Sequence, residues 1–397
     1  MAEGPWLTII GLGEDGAEGL PPASRAALEA AEVVMGPPRH LSLAPSAAAE
    51  RVAWPVPFAD GLPRLLALRG RRVAVLASGD PFWFGAGAAI SRVLAPGEWR
   101  ALPGPSTFSL AAARLGWALE RTLCVGLHAA PPTRLRPHLA PGLRAILLLR
   151  DGDGPAALAA YLTAQGWGGA RLDVLEALGG PRERRSRGRA DALPDGPFAH
   201  PLAVAVELGP EGPALPRCSG LPDAAFETDG QITKRPLRAL ALSALAPLPG
   251  QRLWDVGAGS GAIAVEWLLS APDAQAVAVE ARADRAARIR RNAEALGVDR
   301  LRIVEGEAPA ALADLPPPDA VFVGGGLSRR LLDALEALAP APRLVAHAVT
   351  LESEALLSEA QARLGGELMR IELAEAAPLG PKRGWRAAYP VVQWRRS

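Results

Sequence analysis

The chain has 397 residues, 43 basic against 42 acidic side chains, and 49% hydrophobic residues, for a formal charge of +1. That length supports two or three domains with separate cores, and the near-neutral balance excludes binding to nucleic acid or a membrane through a broad charge field. Cys124 and Cys218 stand in no metal-ligand or redox spacing, as expected of a reducing cytoplasmic interior, and Met1 to Gly13 has neither a basic leader nor an apolar run of spanning length.

Leu7 to Ile10 read as a buried strand entering the loop Gly11-Leu12-Gly13-Glu14-Asp15-Gly16. Pro22 suits a first helical position, and Ala23 to Val34 supply the helix. Val73 to Ala77 form a second strand that ends at Ser78-Gly79-Asp80-Pro81, and Phe82-Trp83-Phe84-Gly85 opens a helix running to about Leu94. Pro103-Gly104-Pro105-Ser106 leads into a helix capped by Ser106 and stopped by Gly116. Beyond Trp117, strands at Leu123 to Leu127, Ala145 to Leu149, Arg171 to Leu175 and Leu202 to Leu208 alternate with a helix from Pro155 to Gln165. The basic run Arg182 to Arg189 reads as a solvated loop, with guidance of a polyanion as its functional alternative. Three strand ends therefore finish in glycine- or proline-rich loops, which is where an open α/β sheet holds its ligands.

These loops, with Gly36-Pro37-Pro38-Arg39-His40-Leu41 and Leu178-Gly179-Gly180-Pro181, resemble the motifs of the tetrapyrrole methylase family over roughly residues 5 to 209. The pair Glu14-Asp15, where the wider family usually has proline, fits the branch that methylates precorrins in cobalamin synthesis. The resemblance implies an S-adenosylmethionine site that includes Gly11, Gly13, Gly79, Asp80 and Ser106.

Residues 210–226 are dense in proline and glycine without periodicity and read as a linker, leaving domains at 1–209 and 227–397. In the second domain Pro236 starts a helix with Leu237, Leu240, Ala241, Ala244 and Leu245 on one face, and Thr233 sits near its N-cap. The strand Leu253 to Val256 then breaks into Gly257-Ala258-Gly259-Ser260-Gly261 and restarts as a helix from Ala262, a geometry that brings backbone N–H groups to a nucleotide. Gly257, Gly259 and Ala262 satisfy a dinucleotide fingerprint, so an NAD-linked oxidoreductase stays open on spacing alone. Asp255, two residues before the first glycine, and Gly261 in step with the others make the string resemble motif I of class I S-adenosylmethionine-dependent methyltransferases.

Ala276 to Val279 form the next strand and end at Glu280, 23 residues after Gly257, where a carboxylate accepts from both ribose hydroxyls of either nucleotide. A helix follows from Asp284 to Leu296, stopped by Gly297. A strand from Leu301 to Val304 brings Glu307 and Ala308 to the level of an adenine, and Asp319 to Val323 break into Gly324-Gly325-Gly326, which leaves room for a bulky acceptor. A fifth strand, Arg343 to Ala346, meets His347. Glu367 to Leu373 and Val391 to Trp394 read as two terminal strands joined by a loop, like the antiparallel pair of class I methyltransferases.

The two halves in this order resemble the fused precorrin methyltransferases, an α/β pair in which a two-subdomain tetrapyrrole methylase precedes a Rossmann-like class I domain. The resemblance implies methylation of two ring carbons, loss of carbon dioxide from an acetate arm at the class I domain, and a homo-oligomer. Its motifs there match Gly230-Gln231-Ile232-Thr233-Lys234 and Ala348-Val349-Thr350-Leu351-Glu352, and Thr233 is placed with the donor. Methyl transfer from a sulfonium needs proximity, alignment and exclusion of water, so no nucleophilic triad or metal is required. Only Lys234 and Lys382 are lysines. That scarcity marks Lys234 as a candidate holder of substrate carboxylates, and His347, where the family more often has asparagine, as a candidate beside the acceptor. A non-enzymatic tetrapyrrole-binding module is the second alternative, because binding and catalysis need nearly the same residues.

Overall fold

The computed structural model describes residues 4–44, 49–271 and 273–396. The chain divides into two compact units, residues 1–132 with 140–213 and residues 133–139 with 214–397.

The first unit holds two five-stranded sheets. One is wholly parallel, in the order Glu50–Ala53, Val33–Gly36, Val73–Ser78, Leu7–Leu12, Trp99–Leu102. Its three central strands are apolar on both faces: Leu7, Ile9, Val33, Met35, Val73 and Val75 pack on one side and Ile10, Val34, Ala74 and Leu76 on the other. That is the pattern of a parallel sheet covered on both faces. The second sheet runs Leu123–Gly126, Arg144–Leu148, Leu202–Glu207, Arg171–Glu176, Arg184–Arg189, antiparallel except for its first pair. Helix Thr107–Leu115 packs on it through Phe108, Ala111 and Ala112. As expected, Ser106 caps this helix by accepting from Ser109 N–H at 3.1 Å, and Gly116 ends it in the left-handed conformation.

Three expectations change here. The helix from Pro22 stops at Glu29, and Val33–Gly36 is a strand, because its β-branched residues complete the parallel sheet between two other strands. The stretch after Pro81 forms only the short helix Gly87–Ser91. The basic run is not a loop: Arg184–Arg189 is an edge strand, and its guanidinium groups are engaged on their own sheet or, for Arg189, on the turn that follows it. Arg184 donates to Glu176 at 2.6 Å, Arg185 and Arg187 share Asp173 at 2.6 and 2.9 Å, and Arg189 holds Asp191 at 2.7 Å. This leaves little unmet charge for a polyanion.

The second unit is a doubly wound sheet in the order Arg302–Glu305, Gln275–Glu280, Arg252–Val256, Ala320–Val323, Arg343–Ala348, Val391–Arg396, Glu367–Ile371. The first five strands are parallel and the last two antiparallel. Helices Arg235–Leu245, Ala262–Ser270 and Ala283–Ala295 cover one face, and Arg329–Glu336 and Leu351–Leu364 cover the other. The connection between the terminal strands is itself a hairpin, Ala374–Leu379 with Lys382–Ala387. The far end of residues 210–226 is packed, since Leu221 and Phe226 lie in the core. Leu240, placed on the apolar face above, is exposed, and Arg238 takes the buried position beside Leu237. No helix among the described residues is long and apolar enough to cross a membrane.

Candidate functional site

Each unit carries a cavity at the carboxyl ends of its parallel strands, where backbone N–H groups and loop side chains converge. The first is about 600 Å³ and is lined by Gly13, Glu14, Arg39, His40, Ser78, Gly79, Asp80, Trp83, Phe84, Ser106 and Phe108, among others. Gly11 does not line it. A Cβ there would stand 1.8 Å from the Gly79 carbonyl oxygen and 2.4 Å from Gly104 N. Gly11 is therefore where three of the loops close behind the cavity floor, a packing duty that its spacing with Gly13 could not distinguish from lining. The Asp80 carboxylate accepts Phe82 N–H at 2.8 Å and so shapes its own loop.

The second cavity, about 960 Å³, is lined by Thr233, Lys234, Asp255, Gly257, Gly259, Ser260, Glu280, Glu307, Ala308, Gly324, Gly325 and His347. It sits where strand order reverses, between Arg252–Val256 and Ala320–Val323. Gly257 has φ +67°, and a Cβ on it would lie 2.5 Å from the Gly325 carbonyl, so two glycine loops touch only because neither has a side chain. Gly261 again stands behind the lining, its α-carbon facing Ile289 of the neighbouring helix. Glu280 spreads its carboxylate across the loop, Oε2 accepting Gly259 N–H at 2.8 Å and Oε1 accepting Arg282 N–H at 3.1 Å.

Asp255 is buried at the root of the loop. Its Oδ2 accepts Ala264 N–H at 3.0 Å, while Oδ1 is buried with no partner. Burial first, and then the charge of Glu280, push its carboxyl up to about 7. An unpartnered, reluctant carboxylate facing a cavity is arranged for a ligand that brings a donor or a positive charge.

His347 lies within the strand Arg343–Ala348, one residue before its end, and not in the loop beyond it, 2.9 Å from Gln393 Oε1 and edge-on to Phe322 at 5.1 Å. Burial holds its ring below the usual histidine range, which keeps it neutral at physiological pH. Lys234 is the N-cap residue of helix Arg235–Leu245, with Nζ 4.0 Å from Asp223 and more than half its side chain exposed. Thr233 points its carbonyl, not its hydroxyl, at structure, accepting from Arg238.

Two groups that hold this site carry no glycine-rich signature. Arg238 is fully buried and bonded to Glu266, Asp223 and the carbonyls of Leu221 and Thr233. Asn292 accepts Glu227 N–H at 2.8 Å and donates at 2.9 Å to the carbonyls of Glu227 and Ser260, which ties the entering segment to the glycine loop. A polar residue amid the helical stripe Ile289, Ala293, Leu296 was the available signal for Asn292. Among the described residues no group of three or more His, Cys, Asp or Glu could hold a metal ion.

Residues 6–194 match the family of tetrapyrrole (corrin/porphyrin) methylases, and residues 224–397 match the precorrin methyltransferase domain. The chain is 51% identical over 396 residues to a precorrin-6Y C(5,15)-methyltransferase (decarboxylating) from Sinorhizobium sp, covering 98% of this chain and 96% of the other. It is 44% identical over 400 residues to a protein of the same name from Mycobacterium tuberculosis (strain CDC 1551 / Oshkosh), covering 98% of each. Among solved structures it is similar to the C-terminal domain of precorrin-6Y C5,15-methyltransferase from Rhodobacter capsulatus, at 54% identity and a TM-score of 0.44, over 46% of this chain and 98% of that one.

Proposed function

Since the chain belongs to the family of decarboxylating precorrin-6Y C(5,15)-methyltransferases, we propose that each of its two cavities is a methyl-transfer site for one tetrapyrrole, with S-adenosylmethionine as donor. The enzyme is a methyltransferase of cobalamin biosynthesis that methylates the precorrin at C5 and C15 and decarboxylates it. The observation that carries the two-site reading is that each unit has its own cavity, built by its own glycine loops at parallel strand ends. The relatives carry methyltransferase names, which gives the oxidoreductase alternative no support, and the antiparallel pair Val391–Arg396 and Glu367–Ile371 departs from the dinucleotide pattern.

The residues of the second cavity fit the donor. The orphaned Asp255 Oδ1 suits its ammonium, directly or through a water, and the anchored Glu280 has lone pairs left for two ribose hydroxyls. Glu307 and Ala308 lie at the adenine end, Ser260 and Gly259 along the middle, with Thr233 over the amino-acid end. Bound, the donor supplies an electrophilic methyl on sulfur. The chain's part is to align that methyl with the ring carbon and to keep water off it, with the Gly324 to Gly326 turn leaving space for the macrocycle. In the first cavity Gly13, Gly79, Asp80 and Ser106 border the corresponding place, and Gly11 sets the spacing behind them.

Lys234 is assigned to a substrate carboxylate at the rim of the second cavity. His347, neutral and with Nε2–H donating to Gln393, is left with an Nδ1 lone pair that can accept from a donor on the macrocycle, and it is not a stored proton. Loss of carbon dioxide leaves a carbanion on the arm that the macrocycle delocalises, and its protonation then requires an acid or a held water. By family analogy the enzyme is cytoplasmic and a homo-oligomer, and the boundary between its catalytic domains falls within 210–226.

Calorimetric titration with S-adenosylhomocysteine tests the reading. Two equivalents should bind and NAD none, and with donor and precorrin the product should gain two methyl groups and lose one carbon dioxide by mass spectrometry. One equivalent, or heat from NAD, contradicts it. Glu280→Ala removes charge-assisted hydrogen bonds of about 1.5 to 3 kcal/mol, so one of the two sites should weaken roughly 10- to 100-fold. Two unchanged dissociation constants would remove Glu280 from the ribose.

A further inference from the structure

Four loops of the first unit meet at one polar corner of its cavity. Glu14 comes from the loop after Leu7–Leu12, Arg39 and His40 from the short helix Pro38–Leu43, and Ser78 from the end of its strand, and all four line the cavity; Arg182, from the turn after Gly180, is outside that lining and reaches Glu14 from beside it. Glu14 is ion-paired with Arg39 and, at 3.2 Å, with Arg182. Gly180 makes the second pairing possible, since a Cβ there would stand 2.6 Å from Glu14 Cβ.

His40 holds Arg39 from the other side. A guanidinium only donates. His40 Nε2, 2.9 Å from Arg39 and 3.0 Å from the Ser78 hydroxyl, is therefore the lone-pair nitrogen, and the ring proton is on Nδ1 toward the Leu76 carbonyl at 3.4 Å. Burial and the Arg39 charge push the ring down to about 4, so this acceptor stays neutral at any ordinary pH. A buried imidazole spent on orienting one arginine implies that the arginine's direction matters.

The charge at this corner is unbalanced. Glu14 is one buried carboxylate shared by two guanidinium groups; His200, on the same cavity wall, is held low by burial first and then by the Arg39 charge, against the opposing pull of Asp151. Beside it Trp83 and Phe84 give the cavity an apolar wall, their rings 4.8 and 5.8 Å from Phe108. An anionic group on a largely apolar body is the ligand such a corner matches.

We propose that Arg39, in the lining of the N-terminal cavity, and Arg182, beside it on Glu14, form a carboxylate-binding corner oriented by Glu14, His40 and Ser78. It takes either an acid arm of the macrocycle or the carboxylate at the amino-acid end of the donor. This rests on the reading of that cavity as a methyl-transfer site. In Arg182→Met only a largely exposed side chain changes, which makes it the variant that folds if Arg39→Met does not.

The test is calorimetric titration of the full chain and both variants with two probes, uroporphyrin and S-adenosylhomocysteine, with the untouched C-terminal site as internal reference. One probe should lose at least tenfold in affinity at one site. Loss confined to uroporphyrin identifies the macrocycle's arm, and loss confined to S-adenosylhomocysteine identifies the donor's carboxylate. Wild-type constants for both probes in Arg182→Met, and in Arg39→Met where it folds, overturn the proposal. A wild-type chain that binds neither probe overturns the methyl-transfer reading and the corner with it.

Discussion

Arg238→Met is expected to destabilise the second unit by about 3–5 kcal/mol, the cost of leaving a buried ion-pair partner uncompensated. Arg238 Nε donates to Glu266 at 2.7 Å and a terminal nitrogen to Asp223 at 2.7 Å, while its plane lies 5.0 Å over the Phe226 ring. Glu266 in turn accepts Gly220 N–H at 2.6 Å and Leu221 N–H at 3.0 Å. The pair thus nails residues 220–233 to helix Ala262–Ser270 and so positions Gly230 to Lys234 at the cavity. Swapping both partners for apolar residues should not restore stability, because the two backbone N–H groups would then be orphaned. Urea unfolding followed by circular dichroism reads the loss as a lower midpoint for one transition. An unmoved midpoint would show that the loop is held by its apolar contacts alone.

The second large effect is a pH dependence centred on Asp255. Its carboxyl, raised to about 7 by burial, binds a proton more tightly in the folded state than in the unfolded chain, where an aspartate sits near 4. A raised folded value contributes stability that is fully present below the unfolded value and is lost as pH rises through the folded one. Between about pH 4 and pH 7 the second unit should therefore lose up to about 4 kcal/mol from this group. Asp255→Asn should flatten that slope, gaining stability at pH 8 while leaving pH 4 nearly unchanged. It should also weaken S-adenosylhomocysteine, whose ammonium loses its counter-charge. Thermal unfolding of both proteins across this range checks the sign: a variant less stable than wild type at pH 8 would mean that the carboxylate is not a burden in the empty site.

Features that announce themselves through local chemistry were readable from the sequence. The glycine loops after Leu12 and Val256 show a strand breaking into residues that tolerate close approach, and Glu280 ends an apolar run of strand length. Tertiary pairing was harder to see. Nothing between Glu29 and Val33 marks a helix stop, and Val33 and Val34 become a strand only because Val73 and Glu50 wait on either side. The arginine run looked solvated because its carboxylate partners Asp173 and Glu176 lie on a neighbouring strand. Arg238 hid for the opposite reason: a charged residue on an apolar stripe reads as surface until its partner Glu266, from another helix, is placed beside it.

The arginine edge has a consequence for the life of the chain in a crowded cell. Arg184–Arg189 closes one side of its sheet, and except where Ala192 bridges to Arg189 its outer backbone groups have no strand partner among the described residues, the kind of border that recruits strands from unfolded neighbours. Arg184, Arg185, Arg187 and Arg189 there carry bulky guanidinium groups already held in ion pairs, so an incoming strand would have to break them before it could dock. The ladder therefore acts as a guard against aggregation. Replacing Arg187 and Arg189 by threonines, which favour strands and carry no charge, while keeping Arg184 on the buried Glu176, should leave the fold standing while making the protein precipitate on refolding.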